Sequence, residues 1–229
     1  MKNTSGSIRI AGLSLQGTHI NCNPKNGFWL FLKSLFMGHC PETIGEIGEW
    51  KMARSLKRLP DDYSVLYDVY LPTQDETTTQ IDAVVISEYG IFVIEAKNFD
   101  NDGRRGGWIF GNEDSREWCI SMKGGTKFRF QNPLRQNYKH VAVLSELLNI
   151  SKNQFHNVVV FVGHAEFKTT MPEGVVYKSE LVPYIRSFQN SVFNMKQMET
   201  IFASIQIWAG TISKEKMRSH VDNLKTKHD

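Results

Sequence analysis

The chain has 229 residues, 41% of them hydrophobic, with 14 Phe and 5 Trp, which suits one domain with a sizeable core plus appendages. A formal net charge of +3 is too mild to argue nucleic-acid binding from the total, so only the distribution of charge can carry that argument. The 3 cysteines (Cys22, Cys40 and Cys119) have no paired spacing and the 7 histidines no zinc-ligand pattern, which argues against a disulfide scaffold or structural zinc and for a reducing, cytoplasmic setting.

Residues 1–40 read as an N-terminal extension, without the apolar stretch and small-residue cleavage site of a secretory signal. Within it, 28–37 is strongly apolar but far short of the roughly 20 residues of a bilayer span. Packing on the domain is the preferred role for that segment, ahead of an interfacial membrane contact or a homodimer contact. Residues 41–178 read as the core. Residues 41–49 lead into a helix reaching about Leu59, which Pro60-Asp61-Asp62 stops. A strand over 63–71 and a polar loop over 72–78 follow. Next come two apolar, β-branched stretches, 81–86 and 91–97, separated by turn residues 87–90. After a loop to Gly107, short strands are expected over 108–110 and 118–122. Asn132-Pro133 opens a helix to about Leu148, since proline suits a first helical turn. Strands over 158–162 and 175–177 complete the core, and 179–229 reads as a C-terminal helical part with helices over 179–189, 195–208 and 213–225. The order of elements predicts an α/β fold with a mixed sheet flanked by helices.

The paired apolar stretches contain the chemistry. They are apolar at odd and even positions alike, so both faces should be buried, yet Asp82, Glu95 and Lys97 lie inside them. Buried charges require partners or metal. A two-residue turn at Glu88-Tyr89 pairs Ser87 with Gly90 and sets Asp82 opposite Glu95, where like charges destabilise a sheet. Lys97 shares the face of Glu95. Two carboxylates and one lysine suit a divalent cation with a cationic neighbour; the bland alternative is a structural ion pair, but one lysine cannot neutralise both acids.

Other polar residues interrupt apolar faces. Glu49 shares its helical face with Met52, Ala53 and Leu56 and is the preferred third acid; Glu46, on the stripe of Trp50, Ala53 and Lys57, is the reserve. Gln136 and His140 continue the stripe of Val143, Leu144 and Leu147, which places that helix end beside a cleft where Gln136 can orient a scissile phosphate. From Ser121 to His140 the basic residues Lys123, Lys127, Arg129, Arg135 and Lys139 occur without an acid, interleaved with Phe128, Phe130 and Tyr138. With His140 they form a candidate nucleic-acid surface, although an ordinary solvated basic face fits equally well.

Together, Gly45-Glu46-Ile47-Gly48-Glu49, Gln80-Ile81-Asp82, the run Gly90 to Asn98 containing Glu95-Ala96-Lys97, and Gln131-Asn132-Pro133-Leu134-Arg135-Gln136 with His140 resemble the nuclease-related domain family, NERD, of the PD-(D/E)XK nuclease superfamily. The resemblance spans about Glu42 to Leu148 and implies a restriction-endonuclease-like core with additional C-terminal helices. It further implies Mg²⁺-dependent phosphodiester cleavage, with Mn²⁺ as a substitute. Asp82, Glu95 and the Ala96 carbonyl would hold the metal, and Lys97 would position or deprotonate water and stabilise the transition state, with Glu49 completing the acidic cluster. Ile81 stands where the superfamily's leading proline would be. The partner so implied is nucleic acid, DNA ahead of RNA; the alternative is an inactive binding or scaffolding module with the same fold.

Overall fold

In the computed structural model, which describes residues 44–75, 77–100, 106–122 and 125–213, the apolar hairpin is central to a five-stranded sheet. In chain order the elements are α1 (Ile44–Leu56), β1 (Ser64–Pro72), β2 (Thr78–Ser87), β3 (Gly90–Lys97), β4 (Gly107–Phe110), β5 (Glu117–Met122), β6 (Lys127–Gln131), α2 (Pro133–Leu148), β7 (Phe155–Phe161), β8 (Glu166–Phe167), β9 (Val175–Tyr177), α3 (Leu181–Arg186) and α4 (Met195–Gly210). The main sheet has the order β1-β2-β3-β7-β9, with the first three strands antiparallel and β3, β7 and β9 parallel.

Helices cover both faces, which is why β2 and β3 are apolar throughout. On one side Met52 and Leu56 of α1, with Leu181 and Ile185 of α3, pack on Ala83, Val85, Phe92 and Ile94. On the other, Val141 and Leu144 of α2 and Ile201 and Ile205 of α4 pack on Val84, Ile86, Ile91 and Val93. The Asn132 side chain accepts the Leu134 N–H at 3.0 Å to cap α2, and Asn149 closes the helix in the left-handed region at φ 52.

The expectation of one mixed sheet is incomplete. A second mixed sheet, β6-β5-β4-β8, lays Ile109, Trp118 and Ile120 against Val159, Phe161 and Val175 of the main sheet. Its edge strand β6 was expected only as a basic surface, because Lys127-Phe128-Arg129-Phe130-Gln131 is largely exposed. The strand is held by backbone pairing to β5, and edge strands commonly carry such charges. Helix α3 is shorter than the expected 179–189, while α4 runs to Gly210 from a capping box in which Asn194 and Gln197 exchange bonds. The extension over 1–40, its apolar segment and nearly all of the helix expected over 213–225 lie outside the described residues. Among those described, no helix is long and apolar enough to cross a membrane.

Candidate active site

The hairpin has the expected register from Ser87↔Gly90 through Ala83↔Ile94, and its backbone pairing ends there, one position short of Asp82 and Glu95. There the ladder gives way to a side chain: Asp82 Oδ2 accepts the Ala96 N–H at 2.8 Å. On the other flank, Tyr67↔Ala83 and Val69↔Ile81 leave Asp68 opposite Asp82. Asp68 has φ 51, a left-handed conformation uncommon for a non-glycine residue and tolerated best by Asp and Asn. Across this rung the pleat changes hands. Tyr67 and Ala83 pack with α1, whereas Val69 and Ile81 pack with α2 and α4, although strict alternation would keep each pair on one face. Both aspartates sit at that break.

Glu95 is 4% exposed, and one of its two oxygens takes its hydrogen bonds from side chains. Its Oε1 accepts from Lys97 Nζ at 2.7 Å and from Gln136 Nε2 at 2.8 Å, while Lys97 Nζ also donates to Gln136 Oε1 at 3.0 Å. These three side chains close a ring between β3 and the first turn of α2. His140 Nδ1 lies 3.9 Å from Glu95 Oε2 and 3.3 Å from Asn137 Oδ1. Asn137, wholly buried, fixes that helix end by donating to the Val93 and Val158 carbonyls at 2.7 and 3.1 Å and to Asn157 Oδ1 at 2.8 Å.

The site holds more carboxyl groups than cations. Burial, then the neighbouring Asp68, Glu46 and Glu95, push the Glu49 carboxyl up to about 8. Burial, followed by Glu95 and Glu49, holds Asp82 well above the ordinary aspartate range, against the opposing pull of the Ala96 N–H and Lys97. Among the described residues, no three His, Cys, Asp or Glu side chains are grouped so that they could hold a metal ion. The donor set fits an open oxygen site instead. Asp82 Oδ1 has no hydrogen-bond donor among the described residues, and two or three crowded carboxylates answer to a single lysine. Mg²⁺ tolerates few protein ligands because it retains water.

The structure thus brings Glu49, Asp82, Glu95, Lys97 and Gln136 together with the Ala96 backbone, and Glu46 lies close enough to raise Glu49. Gly48 explains how α1 approaches: a Cβ there would meet Asn98 Cβ at 2.9 Å, so the helix bearing Glu49 rests directly on the end of β3. The basic residues are dispersed. Arg135 and Lys139 are exposed on α2, Lys127 and Arg129 on β6, and Lys123 lies outside the described residues. His140 is buried behind Glu95 instead of on that surface, and Phe130 packs inward on Trp118 and Phe99.

Sequence reasoning missed Asp68 and Asn137. The first had a usable signal, an aspartate in mid-strand between Tyr67 and Val69; the second, a polar residue beside Gln136 at the start of α2, had none.

The family model described as nuclease-related domain matches residues 44–162, which contain every element of this cluster. An uncharacterized protein of Bacillus anthracis is 32% identical over 205 residues, covering 86% of this chain and 91% of its own. No solved structure matches the chain. With the family match extending over more than half of its length, the chain belongs to the nuclease-related domain (NERD) family.

Proposed function

We propose that this nuclease-related protein hydrolyses phosphodiester bonds of nucleic acid, DNA in the first instance, using a divalent cation held by Asp82, Glu95 and the Ala96 carbonyl. The observation that supports it most is the crowding of the Glu49, Asp82 and Glu95 carboxyls, which pushes Glu49 and Asp82 upward while Lys97 is paired with Glu95, an arrangement that a bound cation would relieve. When bound, Mg²⁺ or Mn²⁺ would lower the pKa of a coordinated water and offset charge on the phosphoryl oxygens. The remaining roles fall to the chain. Lys97, steered by Glu95 and Gln136, is positioned to orient the attacking water and to stabilise negative charge as it develops on the phosphate. Gln136 has its amide between Lys97 and Glu95 and keeps the lysine from collapsing onto one carboxylate oxygen alone. Glu49, protonated at neutral pH in the metal-free chain, would ionise as positive charge arrives.

The test is incubation with plasmid, linear and single-stranded DNA and with RNA, in Mg²⁺, Mn²⁺ or EDTA. Cleavage abolished by EDTA, and lost in Asp82→Ala and Lys97→Ala proteins that remain folded, is the expected result. Binding without cleavage under every condition would favour the non-catalytic module, and the Glu95–Lys97 pair would then be structural.

A further inference from the structure

The outer face of the second sheet presents two parallel rows of unlike side chains. Cross-strand pairing aligns Trp108 with Ser121 and Ser121 with Lys127; the next row aligns Phe110 with Cys119 and Cys119 with Arg129. Directly paired residues point to the same side, so each row runs from an aromatic ring through a small residue to a cation, and Glu166 of β8, paired with Trp108, ends the first row on its other side. The opposite face is the packed one, with Ile109 and Ile120 fully buried and Trp118 1% exposed. Trp108 and Phe110, by contrast, are 46% and 40% exposed, an uncommon placement for two large rings side by side.

We infer that this face binds single-stranded nucleic acid, with bases stacking on Trp108 and Phe110 and the backbone running along Lys127 and Arg129. The two rows stand two residues apart along the strands, about 6.8 Å, a spacing that lets successive bases of an extended strand each meet a ring. The small residues Ser121, 9% exposed, and Cys119, half-buried, stand between rings and cations. Lys168 Nζ lies over the Trp108 ring, 5.2 Å from its centroid, and would swing aside to meet a phosphate as a base takes its place. Glu117 lies 3.7 Å from Arg129 and Glu166 3.3 Å from Lys168. Such exposed pairs are weak and yield readily to phosphate. Duplex DNA hides its bases from a flat sheet, so the platform selects strands whose bases are free.

The choice of nucleic acid as partner rests on the proposed nuclease reading, but the binding itself needs neither metal nor cleavage. The test therefore uses the 229-residue chain in EDTA, with fluorescence anisotropy of labelled oligothymidylate, oligouridylate and a duplex of equal length. Trp108→Ala and Phe110→Ala should each weaken single-strand binding about fivefold or more, while duplex binding changes far less. Lys127→Ala with Arg129→Ala should lower affinity and flatten its dependence on salt. Lys196→Ala, an exposed cation on α4 outside both rows and the acidic cluster, should bind as the unaltered chain does. If removing both rings destabilises the fold, Trp108→Tyr against Trp108→Leu makes the same comparison, and only the leucine variant should lose affinity. Absence of single-strand binding by the unaltered chain, loss of the rings without effect, or equal losses for duplex and single strand would each overturn the assignment, whatever the outcome of the cleavage assay.

Discussion

At the scale of single residues, the acidic cluster makes a prediction about pH. The folded chain keeps a proton on Glu49 up to about pH 8, whereas the unfolded chain releases it near 4.5. The folded state therefore binds more protons across that window, and stability in metal-free buffer falls as pH rises through it. Glu49→Gln should flatten the decline and raise stability at pH 8 by roughly 4 kcal/mol, since each pH unit between 4.5 and 8 is worth about 1.4 kcal/mol. Thermal melts in EDTA across this range check it, and a flat profile for the unaltered protein would refute the account. A cation that binds only the folded site should restore stability, by about 2.7 kcal/mol at a hundredfold excess over its dissociation constant. Asp82→Asn should lose that increment. Titrating Mg²⁺ during melts at pH 8 measures both.

At the scale of elements, the site depends on how α2 is anchored to β3 and β7. Asn137 shares its two amide protons among the Val93 carbonyl, the Val158 carbonyl and Asn157 Oδ1, with no access to water. Replacing it with alanine strands those oxygens inside the core and should cost about 2–4 kcal/mol in urea denaturation. Because Gln136 and His140 flank the same turn, the variant should also lose the geometry of the Glu95–Lys97–Gln136 ring. If nucleolysis is found, it should fall further in Asn137→Ala than in an equally destabilised variant remote from α2.

At the scale of the whole molecule, the two sheets share a core. Phe161 of the main sheet stacks on Trp118 at 6.3 Å and meets Phe167 edge-on at 5.1 Å, so neither sheet closes its apolar face without the other. Phe161→Ala should cost about 3–5 kcal/mol. Tryptophan fluorescence and far-ultraviolet circular dichroism should still report one coincident transition; two separated transitions would show that the second sheet folds on its own.

Much of this was legible in the residues. The uninterrupted apolar runs of β2 and β3 require cover on both faces, and the two-residue turn sets their register, so Asp82 and Glu95 could be paired by arithmetic. Asn132-Pro133 marks the start of α2 by local capping chemistry alone. Other features depended on groups distant in the chain. Strand β6 exists because β5 offers it hydrogen bonds, which no property of its own five residues announces. The switch of faces at Asp68 and Asp82 defeats strict alternation, since it arises from a backbone conformation and not from a side-chain pattern. The sequence by itself determined that Asp82, Glu95 and Lys97 lie in the central strand pair, because periodicity and turn chemistry act over a few residues. Only the tertiary structure decided that Gln136 closes the ring on Lys97, that His140 lies inside and that Trp108 and Phe110 share a face with Lys127 and Arg129, because those contacts join segments that meet only when sheets and helices pack.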